Sequence, residues 1–163
     1  MRKVKAEPIT YESYAPYGTF YHMCEPEGYS LNGELHRFFP DRMTESYLSR
    51  AAFSPILVKK PEVMKITQAE YHTTTPEMIL PLNDDMIVHV APASAGTPVP
   101  ELTKAFIVPK GTLVKIHTAV WHLAPLPVHE EELQALIILP ECTYANDCTV
   151  VDFKEEDQFI IEL

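Results

Sequence analysis

Residues 69–82, AEYHTTTPEMILPL, place Glu70, His72 and Glu77 within eight positions, beside three consecutive threonines and a proline. Two carboxylates and an imidazole at this spacing are either the solvated polar groups of a turn, or donors for a metal ion or for acid/base chemistry. If residues 68–72 form a strand, the two-residue period of its side chains puts Glu70 and His72 on one face. Pro76 bends the chain, and Glu77 then opens a second strand with its carboxylate aimed at the same space. A second set lies downstream in residues 105–127, AFIVPKGTLVKIHTAVWHLAPLP. Leu113, Lys115 and His117 share one strand face there, residues 118–120 allow a turn, and His122 opens the next segment.

The elements that must position these groups are short. Fifteen prolines against five glycines divide the chain, and proline is excluded from helix interiors and central strands. Between the prolines lie strand-length runs rich in Val and Ile: 56–58, 78–82, 86–91, 105–108, 113–117, 133–139, 149–153 and 159–163. This punctuation predicts an all-β sandwich or barrel. Two short helices are expected, one over 10–17 capped by Thr10 and stopped by Gly18, the other over 43–52. Residues 91–101, APASAGTPVPE, are a loop.

At 163 residues the chain is expected to form a single domain, residues 1–163, with a core of its own. Its 23 acidic and 13 basic residues leave a formal charge of −10. That surface repels phosphate backbones, so nucleic acid is excluded as a partner, and an anionic substrate needs a local cationic group. No apolar run approaches the roughly 18 residues of a membrane-spanning helix. The N-terminus lacks the apolar stretch of a secretory signal. Three cysteines (Cys24, Cys142 and Cys148) without a CxxC pair fit reduced thiols. A cytoplasmic location with no membrane partner is expected.

The spacing Glu70-x-His72-x₄-Glu77, followed by Ala119-Val-Trp-His122, resembles the two metal-binding motifs of the cupins, with Glu in place of the first His and Ala in place of Gly. The resemblance implies a cupin-like double-stranded β-helix, or jelly-roll barrel. It makes Glu70, His72, Glu77 and His122 the expected ligands of one divalent metal, Mn, Fe, Ni or Zn, with no organic cofactor.

The whole chain is more specifically similar to the ureidoglycolate lyase family. The similarity runs through ITYESYAPYG (9–18), LNGELHRF (31–38), Glu70-Tyr-His72, ILPL (79–82), VHVAP (88–92), Ala105-Phe106 and Val120-Trp-His122-x-x-Pro125. Three positions depart from the family pattern. Glu77 stands where the family usually has Gln, Ala119 where it has Gly, and Asn146-Asp-Cys148 approximates its Asn-Cys-Glu element.

The family resemblance implies a lyase that cleaves the C–N bond of (S)-ureidoglycolate, or of a related small hydroxy acid, to glyoxylate and urea. Glu70 or Glu77 would then be the base, and His72 or His122 the acid or a metal ligand. Arg37 or Lys115 would hold the substrate carboxylate, with Trp121 lining the pocket. Read from strand alternation alone, Lys115 and His117 are exposed unless paired. A metal-dependent cupin acting on a sugar, as an isomerase or epimerase, and a non-catalytic binder of a small acid are the alternatives. Barrels of this type commonly pair through an edge strand, which implies a homodimer. Residues 73–75 are read as a turn, Glu130–Glu132 as a solvated loop, and Cys142 and Cys148 as buried or free thiols.

Overall fold

The computed structural model describes residues 1–163. From the N-terminus, strand β1 covers Arg2–Pro8, helix α1 Tyr11–Tyr14, β2 Gly18–His22, β3 Leu31–Asn32, β4 Arg37–Phe38, β5 Ala51–Lys59, β6 Lys65–Ile66 and β7 Gln68–Tyr71. The chain continues through β8 Glu77–Pro81, β9 Met86–Ala91, β10 Lys104–Val108, β11 Thr112–Ile116, β12 Trp121–His122 and β13 Leu126–Pro127. It ends with β14 Glu132–Pro140, helix α2 Thr143–Asn146, β15 Thr149–Asp152 and β16 Phe159–Glu162. No helix is long and apolar enough to cross a membrane.

Two sheets carry the architecture. The larger runs β15-β7-β12-β9-β10-β1-β16-β6, with β13 also paired to β9, and the smaller runs β2-β11-β8-β14-β5. Their facing sides enclose one apolar cluster that includes Ile79, Val88, Val90, Phe106, Val114, Ile116, Leu133 and Ile137. A second cluster, with Val4, Ile66, Ile87, Trp121, Phe153, Phe159 and Ile161, packs on the other face of the larger sheet. Strand β9 therefore reads as the unbroken apolar run MIVHVA: Val88 and Val90 face one cluster while Ile87 and Ala91 face the other. This is an all-β architecture of two facing sheets, with two short helices.

Helix α1 forms at the expected place. Thr10 accepts the Ser13 amide hydrogen bond, completing a capping box. Four residues cannot hold a helix in isolation; burial of Tyr14 in the inner cluster anchors this one. The helix expected over 43–52 does not form. Residues 51–59 are instead strand β5, paired along its whole length from Glu132↔Lys59 to Pro140↔Ala51. Ile56 and Val58 pack against the inner cluster. That pairing takes only Ala51 and Ala52 of the expected span. Residues 43–50 form no regular element, with Glu45 bonded to Lys115 and the Tyr47 hydroxyl to the Ile138 carbonyl instead. Pro55 is tolerated because β5 ends its sheet. Strand β1, unassigned from the proline pattern, lies parallel between β10 and β16 and buries Val4 and Ala6 between the exposed Lys3, Lys5 and Glu7.

Asp84 ties the β8–β9 turn to the corner that precedes β14. It is buried, and its Oδ2 accepts from the amides of Val128, His129 and Glu130 at 2.9, 2.8 and 2.9 Å. Burial alone would raise its pKa, but these backbone bonds hold it below the usual carboxylate range. Asp84→Ala is expected to cost about 3 kcal/mol, because three amides lose their acceptor together. Urea unfolding checks this; an unchanged midpoint would mean that solvent serves those amides equally well.

Candidate metal and acid/base centre

The two sheets each deliver part of the site to one end of the barrel. On the larger sheet, Glu70 of β7 lies directly opposite His122 of β12, and cross-strand partners share a face. His72 follows two residues after Glu70, one step beyond the end of β7. On the smaller sheet, Glu77 opens β8 in register with Ile116 of the inner cluster. The turn before His122 is closed by Ala119, which adopts the left-handed region at φ 66°, at a cost of roughly 1–2 kcal/mol for a non-glycine residue. Its amide donates to the His72 carbonyl at 2.7 Å, which ties the two histidine-bearing segments together.

One donor atom from each of Glu70, His72, Glu77 and His122 lies within 4.8 Å of the others. His72, Glu77 and His122 are 1%, 4% and 2% exposed, and Glu70 is half-buried. Glu77 Oε2 stands 3.0 Å from His72 Nε2 and 3.2 Å from His122 Nε2. The other ring nitrogens are also engaged: Nδ1 of His72 meets the Asp147 carbonyl at 2.8 Å, and Nδ1 of His122 meets the Val120 carbonyl at 2.9 Å.

A carbonyl only accepts, so each Nδ1 carries hydrogen. A neutral ring then presents a lone pair at Nε2, and the carboxylate oxygen between the two rings is also an acceptor. Three acceptors converge on one dry point, and they require either protons on the rings or a cation among them. Around an ion with bonds of about 2.1 Å, neighbouring ligands at right angles lie about 3.0 Å apart, which matches the separations here. The donor set and its carbonyl-oriented rings fit a divalent metal. The demand for positive charge also shows in titration. Burial works to raise Glu77, but hydrogen bonds to His122 and His72 pull it down to about 2. Burial works to lower His122, and Glu77 overrides it, so His122 is raised.

The segment Asn146-Asp-Cys148, given no role in the centre from sequence beyond approximating the family's Asn-Cys-Glu element, supports this centre. The Asp147 carbonyl orients His72, while its carboxylate accepts from the amides of Thr73 and Thr74, both at 2.8 Å, and from both hydroxyls. The turn expected at 73–75 is thus pinned from the far end of the chain. The Cys148 thiol donates to Glu70 Oε2 at 3.3 Å; burial and this carboxylate push its pKa up to about 12, so it stays a donor. Tyr144 covers His72 edge-on, with ring centroids 6.0 Å apart.

Three residues expected to bind substrate are not brought to the cluster. Lys115 neighbours the inward-facing Ile116 and so points to the opposite side of β11, where Nζ pairs with Glu45 Oε2 at 3.0 Å. Arg37 is exposed on β4, stacks over Phe39 at 5.1 Å, and lines a separate concavity of about 420 Å³ with Tyr21 and Arg42. Trp121 faces away from the site by the same alternation that turns His122 in; its indole donates to Ser94 Oγ at 2.8 Å, and its ring packs 4.3 Å from Tyr71. His89 is buried among apolar groups, and that burial depresses its pKa to about 3, so it is neutral.

Burial tends to raise the Asp147 carboxyl, but its bonds to Thr73 and Thr74 lower it to about 2. A group depressed in the folded state stabilises above its unfolded pKa and loses that contribution as pH falls through the folded value. Asp147→Asn should therefore be less stable than the parent by about 1–2 kcal/mol at pH 6. The gap should close between about pH 4 and pH 2. Thermal melts across that range test it; a gap independent of pH would assign the loss to packing.

The ureidoglycolate lyase family model matches residues 1–162. A ureidoglycolate lyase of Pseudomonas paraeruginosa is 28% identical over 170 residues, covering 99% of this chain and 97% of the relative. That of Pseudomonas aeruginosa is 27% identical over 167 residues, with the same coverage. Among solved structures, a dTDP sugar isomerase from Desulfovibrio desulfuricans aligns with a TM-score of 0.49 and 9% identity, over 86% of this chain and 85% of that one. An oxalate decarboxylase of Bacillus subtilis aligns with a TM-score of 0.45 and 18% identity, over 64% of this chain and 24% of that one. With a model spanning nearly every residue and relatives aligned end to end, this chain belongs to the ureidoglycolate lyase family.

Proposed function

We infer that this protein is a C–N lyase that converts (S)-ureidoglycolate to glyoxylate and urea. The observation that carries the reading is the convergence of His72, Glu77 and His122 on one dry point, with Glu70 beside them, in the barrel of this family. The substrate carries a hydroxyl and a ureido nitrogen on the same carbon. Loss of the hydroxyl proton lets that carbon become a carbonyl while the C–N bond electrons leave with nitrogen.

Glu77 is not the base in this reading. A carboxylate held down to about 2 by two imidazoles has little affinity for a proton; its role is to hold positive charge at the centre. Glu70 is half-buried, and its Oε2 is held by the Cys148 thiol. It takes the hydroxyl proton and returns it to the departing nitrogen, so protons balance over the cycle and urea leaves neutral. His72, Glu77 and His122 are the residues that would hold a divalent ion, Mn, Fe, Ni or Zn. Such an ion supplies Lewis acidity that lowers the pKa of the substrate hydroxyl. With Arg37 and Lys115 elsewhere, the substrate's negative charge would be met by the divalent ion that this cluster would hold. The homodimer belongs to the same reading: β5 ends the smaller sheet and presents exposed Phe53 and Leu57.

Glyoxylate release from racemic ureidoglycolate is expected from the purified protein, with half of the substrate consumed and activity lost on chelation. Glu70→Gln should lower kcat by roughly 10²–10⁴-fold while metal content stays at the parent level. His72→Ala should lose both metal and turnover. Absence of glyoxylate with each of the four metals in turn would sink the substrate assignment.

A further inference from the structure

The Tyr14 ring anchors helix α1 in the inner cluster, but its hydroxyl is a buried polar group that neither the fold nor the centre described above accounts for. The residue is 0% exposed, and its hydroxyl meets no hydrogen-bond partner in the chain. An unpaired hydroxyl in an apolar interior is unfavourable, and phenylalanine would fill nearly the same volume without that penalty. The ring stands edge-on to Phe106 at 5.4 Å and to Phe20 at 6.3 Å, within the cluster that also holds Ile79, Ile116 and Val120.

The backbone makes room for this phenol on the side of the centre. A Cβ at Gly18 would come 2.9 Å from Tyr14 Cε1 and closer still to the Lys115 carbonyl, so only glycine lets the ring lie against β2. Gly18 and Glu77 are the two register partners of Ile116, one on each side of β11. Their backbones are two strand spacings apart, about 10 Å; Ile116 packs in the inner cluster with Tyr14, and Glu77 is buried in register with it. Glu77 Oε2 is taken by both imidazoles, while no donor of the chain bonds its Oε1. Burial first, and the Glu77 charge second, raise the phenol well above its ordinary range, so it remains a donor at any working pH.

We propose that Tyr14 is a ligand-binding residue of this centre, its hydroxyl donating to an oxygen of a small hydroxy or keto acid held between the phenol and the Glu77 cluster. This rests on the reading of the centre as a small-acid site. In this proposal the O–H is the donor that the inner cluster offers to the ligand. It supplies an orienting contact that the sequence motifs of the centre do not include.

The test is Tyr14→Phe in the full chain saturated with Mn²⁺, with Tyr17→Phe as control; the Tyr17 ring lies 6.3 Å away in the same cluster. Tyr14→Phe is expected to melt at or above the parent temperature, to lose about 10–100-fold in kcat/KM for ureidoglycolate, and to bind glyoxylate about tenfold more weakly by calorimetry. Tyr17→Phe should change none of these. Parent-like kcat/KM and glyoxylate affinity in Tyr14→Phe would overturn the proposal, as would a fall in melting temperature with affinity unchanged. If the parent does not turn over ureidoglycolate, the lyase reading fails alone, and titration with glyoxylate, glycolate and oxalate still decides Tyr14. Equal affinities in parent and variant, or no binding of any of the three by the parent, overturn it.

Discussion

Three lone pairs cannot share a water-poor corner without positive charge between them. Glu77 Oε2 and the two Nε2 atoms of His72 and His122 lie 3.0 and 3.2 Å apart, and the carbonyls of Asp147 and Val120 take the hydrogens on the far side of each ring. Rotating a ring would break its carbonyl bond, and moving Glu77 would leave a buried charge without partners. The geometry therefore persists only with a cation or with protonated rings, and the remaining structure serves to impose it.

Imposing it takes both sheets. Glu70 and His122 are cross-strand neighbours on the larger sheet, while Glu77 begins a strand of the smaller one. The apolar cluster between the sheets, with Ile79, Val90, Ile116 and Val120 at its centre, holds the two halves in contact. Burial of many aliphatic groups, each worth roughly 1.5–3 kcal/mol, outweighs the cost of placing a few ionised groups at one end. The left-handed Ala119 and the unpaired Tyr14 hydroxyl are local costs that the same packing sustains. Local strain and unmet polar groups concentrate where a site is organised.

The end of the chain closes the site. Asp147 and Cys148, next to each other in sequence, reach His72, Glu70 and the threonine turn through separate groups: a carbonyl, a thiol and a carboxylate. Strand β15 makes this possible by pairing with β7. Acidic composition and local cationic groups meet differently. Arg37 and Lys115 are occupied on other surfaces, so neither brings a cation to the centre.

Much of this was legible in the chain alone. Proline punctuation between Val/Ile runs marked β8, β9, β11 and β14 within a residue or two, because a strand's period and its breakers are local properties. The four residues of the centre followed from spacing and family resemblance, since a strand of period 2 decides that Glu70 and His72 share a face wherever it is placed. The helix expected over 43–52 failed because its residues make long-range contacts that local propensity does not contain: Glu45 with Lys115, Tyr47 with Ile138, and Ala51 and Ala52 with β14. Lys115 and Arg37 were plausible as carboxylate partners by charge, but which side of a barrel wall a residue faces depends on the register of β11 with β8 and β2. Asp147 lies 74 residues from Thr73, and Tyr14 lies far from Glu77 in sequence. Sequence decided which groups were available and on which face of its own strand each would stand. Tertiary structure alone decided which faces meet, because strand pairing and burial join segments whose separation along the chain carries no periodic signal.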